Sequence, residues 1–273
     1  MRIFPSVLIL ILCYCTISCH QNKSRPNDGQ GLFFELNSYQ KQTGDCNEAS
    51  PACARVDIKY PVAKGPNQAA CQAINDSILN LLIQNLAFEG FEGRPTKASL
   101  VLAVDAFLNE WNSNKVSDPA ATTGWEVTIN GEGALRTSKV AAASFTTYAY
   151  AGGAHPNSFV TILNFDQNTG RQLEWGDIVT DTAALLALAE KHFKKTKGLP
   201  LATDIMKAGY FWDEGFKLPQ NFEIQNEGIY FWYNPYEAAA YSEGPTDFLI
   251  PYQELGNLVR KEVIFVIKKN EGS

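Results

Sequence analysis

Trp125-Glu126-Val127-Thr128-Ile129-Asn130 puts an apolar residue at every second position. Period two is the spacing of one face of a β-strand, so this segment reads as a strand with one side buried. Downstream, Val140 to Tyr150 and Phe159 to Asp166 read as further strands. Gln167-Asn168-Thr169-Gly170 follows as a tight turn, with glycine where a positive φ is tolerated. Strands joined this closely are expected to form an antiparallel meander.

Outward from this centre the pattern changes. Leu32 to Tyr39 and Ala54 to Tyr60 read as strands flanking a cysteine-bearing loop, with Pro61 ending the second. Asn67 is placed to cap a helix reaching about Leu86, with Cys71, Ile74, Ile78, Leu81 and Leu82 on one stripe. A second helix, Thr96 to about Asn112, buries Leu100, Val104, Phe107, Leu108 and Trp111. Asp181 caps a third, Thr182 to Lys197, stopped by Gly198 and Pro200. Lys191, Lys194, Lys195 and Lys197 lie at its C-terminal end, where positive charge complements the helix dipole. Strands at Asn221 to Gln225 and Ile229 to Tyr233 flank an Asn226-Glu227-Gly228 turn. Asp247 to Ile250 leads into a short helix opened by Pro251 and carried through Leu255, Leu258 and Val259. The expected class is α+β, an antiparallel β-sheet meander packed against about three α-helices.

At the N-terminus, Arg2 precedes an apolar run from Ile3 to Ile17 that ends at Thr16-Ile17-Ser18-Cys19. The run is too short for a comfortable membrane span and leads into a polar stretch, which fits a cleaved export signal over residues 1–18. Small Ser18 before Cys19 reads as a lipobox, making Cys19 a lipid anchor and residues 19–31 a flexible tether. The expected location is the cell envelope, lipid-anchored at the outer membrane and facing the periplasm, since residue 20 is His rather than Asp. The chain has six cysteines; Cys13 and Cys15 leave with the signal. Cys46 and Cys53 bracket a short loop, and an oxidising compartment favours a local disulfide between them. Cys71 sits on the buried helical stripe as an inert thiol.

The formal net charge is −6, with no dense basic stripe beyond the third helix, which argues against nucleic acid and anionic lipid surfaces as ligands. Only His20, His155 and His192 are available, and no zincin pair, Gly-x-Ser-x-Gly elbow, P-loop or dinucleotide fingerprint occurs. No catalytic residue, metal ligand or cofactor is therefore assigned. Two stretches stand out as candidate binding surfaces. Tyr150-Ala151-Gly152-Gly153-Ala154-His155-Pro156-Asn157 offers Gly152, Gly153, His155 and Asn157 at a turn. Tyr210-Phe211-Trp212 and Tyr230-Phe231-Trp232-Tyr233, with Tyr236 and Tyr241, concentrate aromatic rings. On a strand Tyr230 and Trp232 share one face and Phe231 and Tyr233 the other, so one set is core and the other is free to form a platform. Trp212, Tyr230, Trp232, Tyr233 and Tyr236 are the candidates.

Taken together, Gly152-Gly153-Ala154-His155-Pro156-Asn157, Asn164-Phe165-Asp166 with Thr169-Gly170, Trp175-Gly176-Asp177-Ile178, and Phe231-x-Tyr233-x-x-Tyr236-Glu237 resemble a known family. The chain is similar to the paired envelope domains of a lysozyme-sensing anti-sigma factor ectodomain and of the N-terminal part of a peptidoglycan deacetylase, the PdaC/RsiV-like group. The resemblance runs from Leu32 to Ile267. It implies a deacetylase-N-like portion over 32–150 and an anti-sigma-ectodomain-like portion over 151–267, packed as one continuous α+β fold. It imports no reaction, because the relative's deacetylase chemistry belongs to a separate catalytic domain. With no sigma-binding segment ahead of the leader, the anti-sigma role is not expected either. The expectation is a non-catalytic, lipid-anchored envelope protein that binds peptidoglycan glycan or a muramidase-like protein. The alternative is a cryptic esterase-like or deacetylase-like hydrolase using His155.

Overall fold

Long alternating segments on either side of the cysteine loop zip into one hairpin. β1 (Phe33–Asn47) and β2 (Ser50–Lys64) pair antiparallel from Phe33–Lys64 to Asn47–Ser50. The Cys46–Cys53 disulfide cross-links them near the tip, as the spacing implied. In this computed structural model, residues 31–47, 50–86, 93–117, 124–212 and 214–266 are described. The leader, Cys19 and the tether up to residue 30 lie outside the described residues. Among those described, no helix is long and apolar enough to cross a membrane.

β2 runs on through Pro61 to Lys64, whereas Pro61 was expected to end it. The physical reason is local: β2 pairs with β3 only as far as Lys59–Asn130, so at Pro61 one side of the strand carries no ladder. α1 (Gln68–Gln84), capped by the Asn67 side chain on the Ala70 N–H, and α2 (Lys97–Ser117) then cover one face of the sheet. Cys71 is a buried free thiol on α1, and burial pushes its pKa up.

The two helices carry the chain back to its starting end. β3 (Trp125–Leu135) consequently enters parallel to β2, and the meander is antiparallel only from there on. β4 (Val140–Tyr150), β5 (Asn157–Asp166) and the short β6 (Gln172–Leu173) complete a sheet ordered β1-β2-β3-β4-β5-β6. Ile58, Ile74, Phe107, Ile129 and Phe145, each at most 1% exposed, lie in the core between sheet and helices.

A second core forms downstream. β7 (Asn221–Ile224), β8 (Gly228–Tyr233) and β9 (Thr246–Pro251) make an antiparallel three-stranded sheet. The turn α3 (Trp175–Ile178) and the helix α4 (Thr182–Thr196) pack on it through Ile178, Leu185, Ala189 and Phe193. Beyond β9, α5 (Tyr252–Leu255) stops at Gly256 instead of running through Leu258 and Val259. Val259 bridges Val179, and α6 (Lys261–Ile264) follows.

Asparagine side chains join the two cores. The outer edge of β5 meets β6 only at Asn164 and Phe165, which leaves backbone groups to be satisfied elsewhere. Asn164, 1% exposed, donates to the Phe222 carbonyl (2.7 Å) and accepts from the Ile224 N–H (2.9 Å). Asn221 accepts from the Ile162 N–H, and Asn234 both accepts from and donates to the Val160 backbone at 2.8 Å. Arg136, from the β3–β4 turn, adds an ion pair to the buried Glu223 of β7.

The Trp175-Gly176-Asp177-Ile178 turn is held by Asp177, which accepts from the Glu174 N–H and from Arg171, both at 2.8 Å. The Glu174 hydrogen bond, helped by Arg171, holds the Asp177 carboxyl below the ordinary carboxylate range. A carboxyl depressed in the folded state stabilises the fold above its unfolded pKa and loses that contribution as pH falls through the folded value. Asp177→Asn should therefore flatten the acid limb of a stability-against-pH curve below the ordinary carboxylate pKa. Superimposable wild-type and variant slopes would remove Asp177 from acid unfolding.

Candidate functional site

Among the described residues, three that are not glycine take a positive φ: Phe211 (57°), Trp212 (46°) and Tyr236 (68°). Left-handed geometry costs a residue with a Cβ about 1–2 kcal/mol. All three line one cleft of about 580 Å³. Backbone strain gathered at a single concavity marks a candidate site.

Packing enforces the strain. The Phe211 ring is buried against Phe193, Phe216 and Tyr233, and its N–H donates to the Ala238 carbonyl at 2.8 Å. With Phe211 drawn inward, Trp212 is turned outward and is 51% exposed. Tyr236 stands on the turn after β8, closed by the Glu237 N–H on the Asn234 carbonyl, and is 53% exposed. The two exposed rings are part of the lining of the cleft.

Glu237 also lines it. Its oxygens accept from the Gln220 N–H (2.6 Å) and the Asn234 N–H (2.9 Å), and burial pushes its pKa above the usual carboxylate value. Lys217, another lining residue, pairs with Glu214. No group of three potential metal-ligating side chains occurs among the described residues.

The sequence candidates divide. Trp212, Tyr233 and Tyr236 converge on the cleft, but Tyr233 corrects the expectation for a binding residue: it is 1% exposed in the second core. Its hydroxyl donates to the Lys217 carbonyl at 2.7 Å, so it braces the cleft and offers little surface. Tyr230 and Trp232 lie on the opposite face of β8, half-buried, with Trp232 Nε1 donating to Asn234 Oδ1. Gly152 and Gly153 shape the β4–β5 loop, whose Gly153 carbonyl accepts from the Tyr150 hydroxyl. Asn157 opens β5 opposite Ala149.

His155 is exposed, with Nδ1 donating to the Pro156 carbonyl. Its ring stacks on Tyr241 (5.1 Å), which in turn lies 5.4 Å from Tyr236. The glycine-rich loop therefore borders the cleft through Tyr241. Glu237 and Lys217 were not singled out as site residues by sequence reasoning. The available signal was the adjacency Tyr236-Glu237 after a strand whose alternate residues are core.

Two family models match successive stretches of the chain, with the Gly152-Gly153-Ala154-His155-Pro156-Asn157 loop inside the first. Residues 47–158 match the family model of Deacetylase PdaC, and residues 176–253 match that of a protein of unknown function, DUF3298. The chain joins a PdaC-like region to a DUF3298-like region. A member of the DUF3298 family from Bacteroides fragilis is 21% identical, with a TM-score of 0.66 over 85% of this chain and 95% of that one. A DUF3298 family protein from Pseudomonas aeruginosa is 19% identical, with a TM-score of 0.64 over 88% and 99%. At these identities the likeness is one of fold. No curated protein matches the chain. The cleft lies within the DUF3298-like region, whereas the loop bearing His155 closes the PdaC-like region. The six-stranded sheet runs across the division, since β5 begins in the first region and pairs throughout with β4.

Proposed function

We propose that the chain is an exported, lipid-anchored envelope protein that binds cell-wall glycan at the Trp212–Tyr236 cleft without transforming it. The observation that carries this reading is the pair of exposed aromatic rings held in strained left-handed geometry on one concave surface. Rigid aromatic side chains supply large contact area at low entropic cost, and strain maintained by the surrounding core is geometry kept ready for a ligand. The export signal and the Cys19 lipobox supply the location.

Retention on purified peptidoglycan tests the reading, with an immobilised muramidase-like protein as the competing partner. Trp212→Ala should weaken retention by about 2 kcal/mol, roughly thirtyfold, the loss typical of an aromatic hot spot. Unchanged retention of the variant, or capture by the muramidase column alone, would displace the glycan reading. Location is tested in parallel, because lipid-precursor labelling should be lost in Cys19→Ala. Hydrolysis centred on His155 has less support: among the described residues the partners of its ring are the Pro156 carbonyl and Tyr241.

A further inference from the structure

The cleft combines exposed aromatic rings with a carboxylate that has no counter-ion. Glu237 is paired with no Lys, Arg or His among the described residues. Lys217, the cation lining the cleft, is engaged by Glu214. Each Glu237 oxygen accepts one backbone N–H, which leaves a second acceptor site open on each. Glu214 lines the cleft as well, and the remaining titratable groups there are the phenols of Tyr233 and Tyr236. Glu237 is half-buried, and a carboxylate partly withdrawn from water with hydrogen bonds but no opposite charge carries a desolvation cost that is relieved when a cation arrives. Trp212 and Tyr236 are suited to the same visitor, because the faces of aromatic rings attract positive charge. Direction agrees with the whole chain, whose formal net charge is −6.

We propose that the cleft receives a positively charged nitrogen, a primary ammonium borne by the wall polymer, with Glu237 as its counter-ion and Trp212 and Tyr236 as its aromatic walls. This rests on the cleft being the binding site and adds the charge of the group that enters it. A neutral sugar ring would fill the same space but leave Glu237 uncompensated.

The experiment compares two preparations of one polymer. Purified peptidoglycan is used as isolated, and after mild acetic anhydride treatment that converts its free amines to neutral amides while keeping the glycan chains. The intact protein should be retained on the untreated polymer and lose at least tenfold of that retention on the acetylated one. Raising the salt concentration should erase most of the difference, since an ammonium–carboxylate contact is screened while apolar stacking is not. Glu237→Gln should bind both polymers alike. If that variant unfolds at a lower temperature than the parent, the wild-type arms with and without salt decide alone. Equal retention on both polymers overturns the ammonium and leaves the cleft as a glycan site. Retention on neither overturns both readings. A folded Glu237→Gln variant that still prefers the untreated polymer overturns the role of Glu237.

Discussion

Asn164→Ala is expected to lower the unfolding free energy by roughly 3–4 kcal/mol, because it leaves two buried backbone groups without partners at about 1–3 kcal/mol each. The Asn164 side chain works as a piece of strand. Its amide donates to the Phe222 carbonyl and its oxygen accepts from the Ile224 N–H, so this one residue of β5 makes two bonds to β7. Water cannot replace those bonds readily, since Asn164 is 1% exposed and Phe222 and Ile224 are 3% and 0% exposed. The loss falls on the joint between the two cores, where Asn221 and Asn234 make the remaining bonds to the β5 edge. Chemical denaturation with fluorescence detection measures it directly. A midpoint shift no larger than that of an ordinary surface substitution, about 0.5 kcal/mol, would show that the clasp contributes nothing.

Gly170→Ala should cost still more than its backbone conformation alone accounts for. Gly170 has φ +71°, and a Cβ placed there would stand 2.2 Å from the Ala70 carbonyl oxygen. The turn cannot easily retreat. Asp166 Oδ1 accepts from the Asn168 and Thr169 N–H groups, and Asn67 Nδ2 donates to the Asn168 carbonyl at 2.6 Å, locking the turn against the start of α1. Gly198 is an internal control, with φ +68° and nothing within 4 Å of its Cβ position. Gly198→Ala should lose about 1 kcal/mol from left-handed geometry, and Gly170→Ala at least about 2 kcal/mol more from the backbone collision. Parallel thermal unfolding of the two variants reads the difference, and equal losses would mean that the contact between turn and α1 yields without cost.

These two residues also explain why some local motifs were conspicuous in the sequence. Asn164-Phe165-Asp166 followed by Thr169-Gly170 looked like a signature, and each member serves the architecture. Asn164 clasps the second sheet, Phe165 fills the first core, Asp166 caps the turn and Gly170 admits the helix start. Trp175-Gly176-Asp177-Ile178 is likewise a docking turn, with Arg260 donating to the Gly176 and Asp177 carbonyls. The features pointing to a ligand lie elsewhere, in the left-handed Phe211-Trp212 pair and in Tyr236-Glu237. Neither segment has a period, because each is an irregular turn whose geometry is imposed by what its neighbours bury.

Local chemistry was enough to find most strands, though not the two-residue β6 or the full length of β1 and β2, together with the caps at Asn67 and Asp181, the buried stripes of α1 and α2 and the Cys46–Cys53 bridge. Each depends on residues close in the chain: alternation, side-chain capping, helical spacing and a short loop between thiols. The parallel entry of β3, the division into two cores, the burial of Tyr233 and the placing of Trp212 and Tyr236 on one cleft required the tertiary structure. Those features depend on which end of a sheet the chain returns to and on which aromatic face finds a partner. Both are settled by contacts between residues far apart in sequence, where a one-dimensional pattern carries no distance.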